Sequence, residues 1–110
     1  MTVQELLYQQ MDHFISLHMA KKPELTVAAL IEIGSHIGAY TIRVRHQQQG
    51  HIEQEAITGV IGTLGNFCHE YFPEQFHQED FNRLQAKVLE LLNNPGFDRD
   101  VQTYFGAFYR

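Results

Sequence analysis

The chain has 110 residues, of which 44% are hydrophobic and 19% are charged. This balance supplies enough apolar side chains for one packed core and too little charge for a disordered chain, so we expect one helical domain over residues 1–110. The net charge of −5 with neutral histidines opposes nucleic-acid binding, and no apolar segment is long enough to span a bilayer. The amino-terminal residues lack a signal-peptide pattern and the lone cysteine, Cys68, excludes an internal disulfide, so we predict a cytoplasmic protein.

The first predicted helix covers residues 2–20. Thr2 and Glu5 stand at the spacing of a capping box, in which two side chains bind the free backbone N–H groups at a helix start. An apolar stripe then recurs every three or four residues, as in a helix that buries one face. His18 falls within that stripe, and we therefore interpret it as a core histidine. The stripe consists of Val3, Leu7, Met11, Phe14 and His18.

The second predicted helix runs from residue 24 to about residue 46. Its apolar face includes Gly34 and Gly38, and its opposite face carries Glu32, His36 and Arg43. A solvated face with salt bridges is the simplest interpretation of these polar residues. The sharper interpretation is a polar pocket or interface, in which Glu32 orients His36 and Arg43 binds an anion.

A hairpin is the alternative for the middle of the chain. Residues 39–46 alternate apolar and polar side chains as a strand does, and the segment 47–50 could close a turn. We predict a small all-α bundle of four main helices plus a short C-terminal helix. An α+β fold with a hairpin around residues 39–58 is the alternative.

Three further helices are predicted after this point. The third covers about residues 52–72 and stops before Pro73, and the fourth covers residues 79–93 and opens with acidic residues, which favour a helix N-terminus. The tail from Asp98 places four apolar residues on one helical face, so we expect a short aromatic helix that folds back and caps the bundle. These residues are Val101, Tyr104, Phe105 and Phe108.

Five glycines fall inside the predicted second and third helices. Each costs about 1 kcal/mol relative to alanine, a large sum against the stability of one domain. Close packing of another backbone is our preferred explanation. The glycines of the third helix point toward polar side chains, so this side is expected to face a second subunit, another helix or a ligand. The glycines are Gly34, Gly38, Gly59, Gly62 and Gly65, and the polar neighbours on the third helix are His51, Glu55, Thr58, Asn66 and His69.

His51 and Glu55 form a possible metal-binding pair. They are four residues apart on one predicted helix face, a spacing at which histidine and glutamate supply metal ligands in four-helix bundles. His69 lies on the same face about five turns further along, a span of roughly 27 Å that prevents it from sharing an ion with His51. An exposed pair is the main interpretation and a His/Glu metal-binding bundle the alternative, so no cofactor is predicted.

The segment from Arg45 to His51 resembles the Arg-polar-x4-His motif of HEPN-type ribonucleases, which are small all-α dimers. The resemblance covers these seven residues. It implies an RNA-cleaving site at a dimer cleft, with Arg45 and His51 as the catalytic residues. The chain is acidic and the motif falls in mid-chain, so we keep this activity as an alternative and do not assign the chain to that family.

The sequence shows no nucleophile–base pair, no phosphate-binding glycine loop after a strand and no metal-ligand quartet. We therefore predict a binding protein rather than an enzyme. The predicted protein is a homodimer that binds a protein partner or a small ligand through the polar, glycine-lined side of its second and third helices. The predicted binding residues are Glu32, His36, Arg43, His51, Glu55, Thr58, Gly62 and His69.

Overall fold

The computed structural model describes residues 2–48 and 51–110. Within these ranges the chain forms five α-helices and one short antiparallel ladder, which confirms the predicted small all-α bundle with a C-terminal helix. No helix in the described ranges is long and apolar enough to cross a membrane. The elements are α1 (Val3–Lys21), α2 (Val27–His46), β1 (Gln47–Gln48), β2 (His51–Ile52), α3 (Gln54–Tyr71), α4 (Gln78–Leu92) and α5 (Phe97–Ala107).

Side-chain caps include those at the starts of α1 and α4. At the start of α1, the Glu5 backbone N–H donates to Thr2 Oγ1 at 3.1 Å, as the capping-box spacing predicts. At the start of α4, the His77 backbone N–H donates to the Asp80 carboxylate at 2.9 Å. This bond places the first residue of α4 at Gln78, one residue before the predicted start.

Helix α2 lies at the centre of the bundle and packs against each of the other four helices. From Leu30 to Ile42 every residue is buried except Glu32 and Tyr40. The close packing requires small residues. A Cβ at Gly38 would lie 2.5 Å from Leu64 Cδ1 on α3, and a Cβ at Gly34 would lie 3.5 Å from side chains of α1 and α4. The two glycines of α2 therefore lie against neighbouring helices, as predicted.

The hairpin alternative is wrong, because residues 39–46 and 54–58 are helical. Among the described residues, the ladder pairs Gln47 with Ile52 and Gln48 with His51, and residues 49 and 50 lie outside the described ranges. A strand would place Tyr40, Ile42 and Val44 on one face. Instead Ile42 is fully buried, while Tyr40 and Val44 are 50% and 60% exposed. These three residues lie on different sides of a helix, and the neighbouring helices cover only the side that carries Ile42.

The C-terminal helix folds back onto the first two helices, as predicted. The rings of Phe105 and Phe108 lie 4.8 and 5.2 Å from that of Phe14 on α1, measured between centroids. The Lys21 ammonium at the end of α1 donates to the carbonyl of Ala107 at 2.9 Å. The ends of α1 and α5 are therefore held side by side.

Candidate functional site

The residues predicted to form one polar surface lie in two different environments. On α2, His36 is buried, while Glu32 and Arg43 are partly covered. On α3, the predicted residues Glu55 and His69 are exposed. Helices α4 and α5 pack along the polar side of α2 and cover His36, while Glu32 stays partly open and the α3 part of the predicted surface is exposed.

His36 packs against the C-terminal helix. Its ring is stacked on that of Tyr104, with 3.7 Å between centroids and 7° between planes. His36 Nδ1 lies 2.7 Å from the Glu32 carbonyl oxygen, to which it donates when the proton is on Nδ1, and 3.9 Å from the Glu32 carboxylate. Burial lowers the pKa of His36, and the two Glu32 groups partly oppose this effect. Glu32 therefore positions His36, but against Tyr104 and not toward open solvent.

The Glu32 carboxylate connects α2 to α4. On one side it approaches His36, and on the other it forms an ion pair with Lys87 of α4 at 3.3 Å. Burial, with a smaller contribution from this carboxylate, raises the pKa of Tyr104 above its usual value. The Tyr104 hydroxyl consequently stays protonated and able to donate a hydrogen bond.

Arg43 forms a structural contact at the far end of α2. Its Nη2 donates to the carbonyl of Leu92, the last residue of α4, at 2.7 Å, and its guanidinium carbon lies 4.2 Å from the centre of the Phe97 ring. Its Nε is buried and has no hydrogen-bond partner among the described residues. Arg43 joins α2 to the end of α4 and the start of α5, a role that competes with the anion recognition predicted for it.

Helix α3 presents an open strip of small and polar residues. A Cβ added at Gly59 or Gly62 would meet nothing within 4 Å. Gly65 faces another helix, one of the three expected neighbours, because the ring of Phe81 on α4 lies directly over it and buries it. We call the remaining open surface the α3 strip, formed by Glu55, Thr58, Gly59, Gly62, Asn66 and His69.

The prediction that His51 and Glu55 lie on one helix face is wrong. His51 belongs to strand β2 and α3 begins only at Gln54, so His51 and Glu55 do not share a helix face. Within residues 2–48 and 51–110, no three His, Cys, Asp or Glu side chains gather where they could hold a metal ion. Arg45 lies in the last turn of α2 and, like His51, is exposed.

The structure contains a cleft that the sequence did not predict. It has a volume of about 350 Å³ and opens between the C-terminal ends of α1 and α5 and the first half of α2. His18, predicted to be a core histidine, is only partly buried and lines this cleft. We call it the α1–α5 cleft. It is lined by His18, Lys21, Lys22, Ala29, Glu32, Tyr104, Ala107 and Phe108.

Lys21 and Lys22 are adjacent basic residues in the sequence, and both line this cleft. Residues of α2 and α5 form its other walls. The helical periodicity of the tail predicts a helix but does not specify where α5 docks. Comparisons with protein-family models, curated proteins and solved structures find no match to this chain. The fold places the chain in the class of small all-α bundles. The surfaces of the molecule itself are the basis for inferring its function.

Proposed function

We propose that this chain is a non-enzymatic interaction protein that forms a homodimer through the α3 strip. The supporting observation is the open space over Gly59 and Gly62 in the middle of an 18-residue helix. Each glycine costs about 1 kcal/mol relative to alanine in a helix interior. Close approach of a partner helix would offset that cost, since glycine lets two backbones come together.

The other glycines inside α2 and α3 already pack against side chains of neighbouring helices of the same chain. Gly34 lies against Met11 and Leu84, Gly38 against Leu64, and Gly65 against Phe81. A Cβ at Gly38 or Gly65 would displace its neighbour, and a Cβ at Gly34 would be in ordinary contact with its neighbours. A second copy of the chain would give Gly59 and Gly62 an equivalent neighbour.

The charges along the strip suit a two-fold arrangement. Glu55 comes seven residues before Gly62 and His69 seven residues after it, so the three lie on one stripe of α3. A two-fold axis at Gly62 would pack the two copies of α3 antiparallel. It would bring Glu55 of each chain toward the partner's His69, and an acid would meet a base at both ends of the contact.

The oligomeric state tests the proposal. Light scattering after size-exclusion chromatography, from low micromolar to millimolar protein, is expected to show a monomer–dimer equilibrium. Gly62→Leu is expected to abolish the dimer while the monomer stays folded, because the position is open within the chain. Gly106→Leu is the matched control, since it adds the same side chain to an equally open position on α5. A wild-type monomer at all concentrations would refute the proposal, as would a Gly62→Leu dimer.

A charge exchange tests the antiparallel geometry separately. Glu55→Lys alone is expected to weaken the dimer, because it removes the acid–base pair and places an ammonium group beside the partner's His69. The double variant Glu55→Lys with His69→Glu is expected to recover the dimer. Equal weakening by the single and double variants would contradict the proposed two-fold axis.

A further inference from the structure

The α1–α5 cleft combines apolar walls with a basic rim. Ala29, Ala107, Phe108 and the ring of Tyr104 form the walls. Its volume of about 350 Å³ is at the lower end of the range for small-molecule sites, which favours a compact ligand. The walls can accept an aromatic ring or a short aliphatic chain.

The rim is positive although the chain as a whole is negative. The chain has three lysines and a net charge of −5, yet two of those lysines, Lys21 and Lys22, lie at this one cleft together with His18. Glu32 is the acidic lining residue, and its ion pair with Lys87 compensates its charge from outside the cleft. The rim therefore favours an anion over a cation.

Several hydrogen-bond donors at the cleft remain available. Lys21 uses one N–H for the Ala107 carbonyl, and an ammonium group has three. Lys22 is exposed, and neither its side chain nor the Tyr104 hydroxyl makes a hydrogen bond within the described part of the chain. A carboxylate could accept from two or more of these groups at once.

We propose that the α1–α5 cleft binds a small organic monocarboxylate, with the carboxylate at the lysine rim and the apolar body against Tyr104 and Phe108. The site is separate from the α3 strip and does not depend on dimer formation. The volume of about 350 Å³ favours a small anion over a larger polyanion. The two lysines disfavour an organic cation.

Ligand titration of the full chain tests this proposal. The probes are 3-phenylpropionate and octanoate, and the matched neutral compound is 3-phenylpropan-1-ol, all followed by calorimetry and by NMR shifts of backbone amides. At least one acid is expected to bind more tightly than the alcohol, with the largest shifts at residues 18–22 and 104–108. Added salt is expected to weaken binding of the acid and not of the alcohol. Absence of binding by both acids, or equal binding of acid and alcohol, would overturn the proposal.

Variants locate the binding site. Lys22→Glu is expected to raise the Kd of the acid by about tenfold, the usual effect of losing a charged hydrogen-bond donor. Arg45→Glu is the matched control, because it makes the same charge change at an exposed position near the opposite end of α2. Equal effects of the two variants would refute the site. Gly62→Leu is expected to leave acid binding unchanged, which separates this proposal from that of the homodimer.

Discussion

The imidazole of His36 lies parallel to the ring of Tyr104, with 3.7 Å between the two centroids. This contact joins the central helix α2 to the last helix, α5. Glu32, Lys87 and Asp100 are the charged groups that influence the histidine, and burial is the largest influence on its pKa. Docking of α5 and the protonation state of His36 are therefore coupled.

The stability of the fold is expected to fall in acid because of this coupling. The folded-state pKa of His36 is lowered from its ordinary value of 6.5, so the unfolded chain binds the proton more readily. The contribution of His36 to the free energy of unfolding should be complete above pH 6.5. It should decrease as the pH falls below 6.5 toward the folded-state pKa of His36. Each unit by which folding lowers the pKa corresponds to about 1.4 kcal/mol. Urea unfolding from pH 8 to pH 5 measures the change.

His36→Phe is the control for the pH effect. The variant keeps an aromatic ring against Tyr104 and removes the titrating group, while the carboxylates and the other histidines still titrate. The difference in stability between wild type and variant should therefore change with pH below 6.5. A difference that stays constant from pH 8 to pH 5 would show that His36 does not titrate differently on folding.

Arg43→Met is expected to destabilise the fold by about 1–3 kcal/mol. The variant keeps an unbranched apolar side chain but loses the charged hydrogen bond to the Leu92 carbonyl and the stacking on Phe97. Arg45→Met is the matched control on the same helix, since Arg45 is exposed, and its effect should stay within about 0.5 kcal/mol. Chemical denaturation followed by circular dichroism compares the two. Equal effects would argue against a structural role for Arg43.

Two glycine-to-alanine substitutions should have opposite effects on stability. Gly38→Ala places a Cβ 2.5 Å from Leu64 Cδ1, and the overpacking cost of about 1–3 kcal/mol should outweigh the gain of up to about 1 kcal/mol in helix propensity. Gly59→Ala meets open space and should stabilise the monomer by up to about 1 kcal/mol through helix propensity. Thermal unfolding of dilute protein, below the concentration at which dimers form, measures both. Destabilisation by Gly59→Ala under these conditions would show that the position is covered within one chain.

Cys68 is expected to react only when the protein unfolds. The thiol is fully buried, and burial raises its pKa to about 12. At pH 8 it therefore holds roughly a thousandfold less thiolate than an exposed cysteine. Labelling with a disulfide reagent should be slow in buffer and accelerate through the urea transition. Rapid labelling of the native protein would contradict the packing of α3 against the core.

Local sequence signals predicted the helices well. The capping pair Thr2 and Glu5 and the acidic residues that open α4 act within one helix, and both features appear in the structure. The aromatic tail was likewise recognised as a helix. These predictions succeeded because helical periodicity reports which face of a segment is buried.

Contacts between distant segments were not predictable in the same way. His36 was placed on a polar face because its own helix gave no sign that Tyr104 would cover it. His18 was placed in the core because the stripe of α1 does not reveal that its last turn borders a cleft. The contact of Phe81 with Gly65 was unpredictable for a similar reason. The rotation of α4 against α3 depends on packing that neither sequence segment specifies.

The position of α5 also bears on how the chain folds during synthesis. Helix α5 follows all the other helices in the sequence, yet its aromatic residues cover Phe14 on α1 and His36 on α2. A nascent chain therefore exposes one flank of α1 and α2 to water until α5 has emerged. During that interval, a chaperone or a second nascent chain could occupy the surface that α5 later covers.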